Sequence, residues 1–328
     1  MASHNETCTD TEFIQLWGQL QSATRIAEHL GIALRAVHLR RRHIEKEYNM
    51  ALSASDPRGF KYDRNKPKSF SPLRQIDLGI LDGCVIVFSD AHFIPSQRTT
   101  AFKGLLWAIQ EFKPKAVICN GDAFDGASIS RHDVTDQPQT SVVQELKACQ
   151  GALGEIEEVA KAARHNVKLL FTWGNHDIRF GNRLAQQAPQ FKEVQGFKLT
   201  DHIPEWEFCW AVWPTDQVVV KHRYKGGIHA THNNTVNAGV SIVTGHLHSL
   251  KVTPFSDYNG CRYGVDTGTL AETDGPQFTY AEINPNNHRS GFGVLNFFNG
   301  QLLWPELVHK FDEGLIQFRG DVIDVSEF

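Results

Sequence analysis

The chain has 328 residues and a formal net charge of -4, long enough for one large α/β domain with appendages or for two domains. Charged residues make up 21% and hydrophobic ones 41%, an ordinary globular balance; the mild negative charge excludes a uniformly basic nucleic-acid coat but leaves room for a local basic patch. No apolar run reaches the roughly 18 residues that span a bilayer, and the polar start Met1-Ala2-Ser3-His4 lacks the apolar core of a secretory signal, so a cytoplasmic protein with no membrane partner is expected.

Residues 1–50 read as a small helical unit. Phe13, Leu16, Trp17 and Leu20 repeat at helical spacing. Ser22 can cap a second helix carrying Ile26, Ala27 and Leu30 on one face, and Gly31 supplies a turn. A third helix has Leu34, Val37 and Leu39 apolar and Arg35, Arg40, Arg41 and Arg42 basic. This order resembles a helix-turn-helix unit, with Ala27, Gly31 and Val37 where that motif wants a small residue, a turn and a core residue. A helical cap or oligomerisation arm with a solvated basic face fits equally well. Residues 51–77 mix Pro57, Gly59, Pro67 and Pro72 with Lys61, Arg64, Lys66, Lys68 and Arg74, and read as an irregular basic connector.

The main domain is expected over residues 78–328. Val85 to Phe88 is a short apolar β-branched run, read as a buried strand, and Asp90 and His92 follow it. In an extended segment, residues i and i+2 point to the same side. A carboxylate and an imidazole then face one spot, as a metal ion requires. A helix follows over about 99–112, then the strand Ala116–Cys119 ending in Asn120-Gly121-Asp122. A helix over about 142–163 leads to the strand 167–173, which ends in Gly174-Asn175-His176-Asp177. This alternation predicts a mostly parallel sheet. Residues 179–214 are less regular, with a helical piece around 183–188; their aromatics, Phe197, Trp206, Phe208, Trp210 and Trp213, read as a lid packed on the sheet edge. The strand Val218–Lys221 ends at His222, and the strand Val240–Thr244 ends in Gly245-His246-Leu247-His248. Beyond it the pattern looks antiparallel, with Asn299-Gly300 as a hairpin turn and 315–318 as a last strand. The six cysteines form no Cys-x-x-Cys pair, which excludes a zinc ribbon or a dithiol redox motif; Cys84 and Cys119 read as buried thiols.

Five strand ends thus carry oxygen or imidazole ligands in order, and ligands of α/β sheets gather beyond the carboxyl ends of strands. Glycines at 121, 174 and 245 let the backbone approach closely. Capping or core packing does not account for five such ends in one chain.

The set resembles the calcineurin-like metallophosphoesterase superfamily, whose pattern is Asp-x-His, Gly-Asp, Gly-Asn-His, a lone His, and Gly-His-x-His. Here it reads Asp90-Ala91-His92, Gly121-Asp122, Gly174-Asn175-His176, His222 and Gly245-His246-Leu247-His248, over about residues 81–249. The run from Asn175 to Pro189 is similar to versions carried by bacteriophages. The resemblance implies a mixed α/β fold of four layers, α/β/β/α, with two divalent metal ions at the strand ends. One ion takes Asp90, His92, Asp122 and His248; the other takes Asp122, Asn175, His222 and His246, so Asp122 bridges. His176 lies near the leaving group. Two departures stand out: Asp177 replaces the usual Glu, and Arg223 replaces the usual Gly after the lone His. His229 and His232 are therefore alternatives to His222, which is preferred because it ends a Val-rich strand.

The chemistry suits these residues. Two cations roughly 3.5–4 Å apart clamp phosphate oxygens and acidify a shared water, whose hydroxide attacks phosphorus. Two carboxylates leave the pair with excess positive charge. His176 can act as general acid, with Asp90 orienting its ring, and Arg179 and Arg223 can contact the phosphate. Mixed N/O ligation favours Mn, Fe, Zn, Co or Ni over Mg or Ca, with Mn the first choice. The sequence therefore leads to a dinuclear phosphoesterase, expected to be a phosphodiesterase on nucleic acid or nucleotides. The nucleic-acid element rests on the N-terminal motif and the basic connector. A phosphomonoesterase or phosphoprotein phosphatase is the alternative enzyme. A non-catalytic scaffold is the other class, against which the complete ligand set argues. An oligomer is compatible with all three.

Overall fold

The structure, a computed structural model, describes residues 8–52, 74–130, 140–191, 193–281 and 286–328. The chain divides into two compact units, Met1–Phe70 and Ser71–Phe328. Most of the basic connector, residues 53–73, lies outside the described residues.

The first unit holds three helices, α1 (Asp10–Leu20), α2 (Ala23–Leu30) and α3 (Leu34–Glu47). Thr9 and Glu12 form a reciprocal capping box at the start of α1, and Ser22 caps α2 through the Arg25 N–H. Gly31 closes α2 in the left-handed region at φ 62°, where a side chain would be strained. Phe13, Trp17, Ile26, Ala27, Val37, Ile44 and Leu52 form the core. Leu34 and Leu39, expected on the apolar side of α3, are 43% and 48% exposed. They sit on the turns facing away from Val37 and Ile44, which do the packing.

The second unit begins earlier than residue 78, because β1 (Gln75–Asp77) is already a strand of its smaller sheet. The remaining strands are β2 (Gly83–Phe88), β3 (Ala116–Cys119), β4 (Lys168–Thr172), β5 (Glu207–Cys209), β6 (Ala211–Thr215), β7 (Val218–Val220), β8 (Ser241–Thr244), β9 (Lys251–Asp257), β10 (Gly260–Asp266), β11 (Gly291–Phe298), β12 (Gln301–Leu302), β13 (Glu306–Asp312), β14 (Leu315–Phe318) and β15 (Asp321–Asp324). Its helices are α4 (Thr100–Phe112), α5 (Val142–Ala163), α6 (Asp177–Gln187), α7 (Leu199–His202) and α8 (Ala230–Ala238).

These strands make two mixed sheets. The larger runs β15-β14-β13-β11-β2-β3-β4-β5, with β12 paired to β11; the smaller runs β1-β6-β7-β8-β10-β9. β2 to β5 are parallel neighbours, and β11 joins β2 antiparallel. The period-2 alternation of β2 sets the layers. Val85 and Val87 face the second sheet, meeting Val212, Val218, Val220, Val243 and Val265. Ile86 and Phe88 face the helices, in a core with Phe102, Leu105 and Ile109 of α4 and Cys149, Leu153 and Ile156 of α5. α8 packs on β8, β9 and β10. The order is helices, sheet, sheet, helix, which is the expected four-layer sandwich. Cys84 and Cys119 are buried, and burial pushes the Cys84 thiol up to about 12. No helix among the described residues is long and apolar enough to cross a membrane.

Three expectations about elements change. The aromatics of 206–213 are not a lid: Phe208 is on β5 and stacks on Phe171 at 4.4 Å, while Trp206 packs edge-on against Phe88. Their density hid two short strands: β5 closes one edge of the larger sheet, and β6 lies between β1 and β7 in the smaller one. α6 starts at Asp177, not near 183. β15 follows β14 as the last strand. The Asn299-Gly300 hairpin forms as expected, with Phe298 paired to Gln301 and both turn residues at positive φ.

Candidate metal centre

β2, β3, β4, β7 and β8 all deliver polar residues to one edge. Asp90 and His92 follow β2, Asp122 follows β3, Asn175 and His176 follow β4, His222 follows β7, and His246 and His248 follow β8. Asp90, Asp122, His92, His222 and His248 are all buried. Burying charge at this density is costly unless the groups are paired or bind metal.

Among the described residues, three groups of donors could each hold a metal ion: Asp90, His92 and His248; Asp122, His222 and His246; and His92, Asp125 and His176. Within each group the ligand atoms lie within 4.8 Å of one another. Asp90 Oδ1 meets His248 Nε2 at 3.0 Å, and Asp90 Oδ2 accepts the His246 N–H at 2.8 Å. Asp122 Oδ2 meets His222 Nε2 at 3.1 Å, and Asn175 Oδ1 lies 3.2 Å from the same nitrogen. His222 Nδ1 donates to the Asn120 carbonyl at 2.7 Å, which fixes Nε2 toward the carboxylate. The set expected around the second ion is therefore assembled. Of the first ion's set, Asp90, His92 and His248 come together, whereas Asp122 groups with His222 and His246.

The donor set fits divalent cations. It mixes carboxylate, amide and imidazole, as borderline metals prefer, and His248 Nδ1 is buried with no hydrogen-bond partner. Burial works against the charged forms of Asp90 and Asp122, yet the imidazoles of His248 and His222 outweigh it and hold both carboxyls below the usual range. Both stay anionic and ready to ligate. Burial pulls His222 down, but the Asp122 and Asp90 carboxylates overcome it and push the imidazole up to about 10.

The backbone at this edge is strained. Asp90, His92, Asp122, His246 and His248 all have positive φ, between 42° and 71°. Such conformations cost roughly 1–2 kcal/mol each for a side-chain-bearing residue and cluster where function demands them. Asp90 and His92 are thus not extended. They converge because Asp90 N–H donates to the Gly121 carbonyl and His92 N–H to the Asp122 carbonyl, tying the two loops together beyond the strands. The glycines are needed for close approach: a Cβ on Gly174 would overlap the Asp122 carboxylate, and one on Gly245 would overlap Ser89 Oγ and the Asp90 carboxylate.

His176 does not pair with Asp90, because Asp90 is engaged by His246 and His248. Its Nδ1 meets Asp125 Oδ1 at 2.8 Å, and the same carboxylate oxygen lies 3.1 Å from His92 Nδ1. Asp125, which joins these two imidazoles, is not among the residues read from the sequence. The available signal was its place three residues after Asp122, just before Gly126. Arg179 Nη2 donates to His176 Nε2 at 3.0 Å and Nη1 donates to the Asp125 carbonyl at 2.9 Å. Arg179 therefore belongs to the site. Arg223 is exposed one residue past His222; His229 and His232 are exposed on α8 and its start, which leaves His222 as the buried imidazole at the centre.

Asp177 has a structural task. Its carboxylate accepts the N–H groups of Asp122 at 2.7 Å, Gly174 at 2.9 Å and Phe124 at 3.1 Å, stitching the third block to the second. An Asp177→Ala substitution leaves three buried donors unpaired, at about 1–3 kcal/mol each. We expect a stability loss of roughly 3–5 kcal/mol in urea unfolding, and a smaller loss for Asp177→Asn, which keeps an acceptor oxygen.

A search of curated protein sequences returned no match. Similar solved structures include Vps29 of Chaetomium thermophilum, at 11% identity over 74% of this chain and 98% of that chain, with a TM-score of 0.39. An archaeal phosphodiesterase matches at 12% identity over 68% and 99%, with a TM-score of 0.35. A purple acid phosphatase from yellow lupin (Lupinus luteus) seeds matches at 12% over 74% and 52%, with a TM-score of 0.34. The model of one protein family, calcineurin-like phosphoesterase, matches residues 85–260. That segment is more than half of the 328 residues and contains every block converging on the site, so the chain belongs to the calcineurin-like phosphoesterase family.

Proposed function

We propose that the chain is a dinuclear metal-dependent phosphodiesterase acting on nucleic acid or nucleotides. The observation that carries this reading is the convergence of buried carboxylates and imidazoles from five strand ends on one edge. In this reading Asp90, His92, Asp122 and His248 hold one ion, and Asp122, Asn175, His222 and His246 hold the other, with Mn the first metal to try. When bound, such a pair of cations neutralises phosphate charge and activates a water for attack on phosphorus.

The chain's own residues do the rest. Asp90 and Asp122 bring about two negative charges against four, so the loaded site stays cationic and draws in phosphate. Asp125 fixes the His176 ring through Nδ1; once Arg179 leaves Nε2 for the phosphate and the ring takes up a proton there, the imidazolium Nε2–H passes that proton to the leaving oxygen. Arg179, already beside that nitrogen, is placed to meet a phosphate oxygen, with exposed Arg223 as a second cation at the rim. The preference for a diester of nucleic-acid type rests on the basic connector and on the cationic helix α3. The placement with phage-borne members of the family rests on the run Asn175–Pro189.

The test compares bis-p-nitrophenyl phosphate with p-nitrophenyl phosphate on Mn-loaded protein. A higher kcat/KM for the diester is expected. Preference for the monoester would move the reading to a phosphomonoesterase or phosphoprotein phosphatase. Turnover of neither, with metal bound, would leave a scaffold.

A further inference from the structure

We propose that the exposed face of α3 docks in the major groove of duplex DNA. α2 and α3 are joined by only three residues, Gly31 to Ala33, with Gly31 left-handed. Ala27 before the turn and Val37 after it are both buried, locking the two helices together. This geometry holds the second helix out with one face free, as in helix-turn-helix units. α3 has 14 residues. At about 1.5 Å per residue it is roughly 21 Å long, and its diameter of about 10–12 Å matches a major groove about 12 Å wide.

The charges then sort by face. Arg40 is engaged within the unit: it bonds Asp10 and the Cys8 carbonyl, and its guanidinium covers the Phe13 ring. Arg41 likewise pairs with Glu45 and lies over Trp17. Neither is offered to a partner. Arg35, His38, Leu39, Arg42 and Lys46 are exposed. At about 100° per residue they fall within roughly a third of the helix circumference, opposite the buried Val37 and Ile44. Arg35, Arg42 and Lys46 make no ion pair among the described residues. Of the two acids on α3, Glu45 is held by Arg41 and the Leu52 N–H, and Glu47 lies off this face.

An ordinary solvated helix face intersperses both signs of charge. This one presents uncompensated cations beside an exposed leucine, although the chain as a whole is at -4. That combination suits guanine edges, phosphates and thymine methyls.

The test uses the full chain and a random-sequence DNA duplex, followed by fluorescence anisotropy. The triple substitution Arg35→Ala, Arg42→Ala and Lys46→Ala changes only exposed residues; an unaltered melting midpoint checks its fold. We expect affinity to fall at least ~10-fold near 100 mM salt, and the slope of log K against log salt to flatten by about 2–3, since each phosphate contact contributes about 0.9. A DNA duplex should compete better than an RNA duplex, whose major groove is too narrow for a helix. Hydrolysis of bis-p-nitrophenyl phosphate should be unchanged, which separates this proposal from the phosphodiesterase reading. Equal DNA binding by the triple variant would overturn the proposal. So would equal competition by RNA duplex, or a triple variant that dissociates a dimer while leaving DNA binding intact.

Discussion

Asp122→Asn is expected to remove nearly all hydrolysis, lowering kcat/KM by about 10³-fold or more, or at least ~4 kcal/mol of transition-state stabilisation. The carboxylate touches His222 through Oδ2 and accepts the His176 N–H through Oδ1. Asparagine keeps the size but gives up the negative charge, and it can aim an amide N–H₂ at a neighbour that needs an acceptor. The fold should survive, because Asp177 holds the loop through the Asp122 backbone N–H rather than through its side chain. Elemental analysis of the variant should find at least one bound ion fewer than in the wild type. Wild-type turnover in this variant would falsify the bridging role.

The second large effect concerns the leaving group. With p-nitrophenolate leaving, which needs no proton, His176→Ala should lose only about tenfold. With an alkoxide leaving, as in a dinucleotide, it should lose about 10²–10⁴-fold. Asp125→Asn should show the same pattern in milder form, because the imidazole remains but its ring is no longer held through Nδ1 by a carboxylate. Equal losses on both substrates in both variants would assign this pair to packing instead.

Much of the site was readable because each block combines an apolar β-branched strand with a polar end. Val85–Phe88 followed by Asp90 and His92, or Val218–Val220 followed by His222, announces both the strand and what it delivers. The path of the chain beyond the strand was not readable. Asp90 and His92 reach the site through left-handed backbone and loop-to-loop hydrogen bonds, which no local pattern encodes. Asp125 was missed for a related reason. A single aspartate in a polar loop looks like a cap until the fold brings His92 and His176 to it. Behind it, Glu145 accepts the Gly126 N–H from the first turn of α5. Its carboxyl is buried and pushed up to about 7, chiefly by that burial. In the sequence it looks like an ordinary helix glutamate.

The aromatic run of 206–213 shows the opposite error. Trp, Phe and Trp in close succession obscured the period-2 alternation, so β5 and β6 read as irregular chain. In the structure β5 is an edge strand of the larger sheet and β6 an inner strand of the smaller one, and the stacked pair Phe171 and Phe208 joins β4 to β5. In the N-terminal unit, the cap at Ser22 and the turn at Gly31 were legible from residue type alone, whereas the capping box at Thr9 was not read. Which arginines of α3 are free was not, because that depends on where Asp10, Phe13 and Trp17 lie in space.

The most direct test is calorimetric titration of metal-stripped protein with Mn²⁺, in the wild type and in His248→Ala. About two ions per chain are expected for the wild type, with the loss of one of them, and of hydrolysis, in the variant. Absence of Mn²⁺ binding by the wild type, or an identical stoichiometry in His248→Ala, would contradict that expectation.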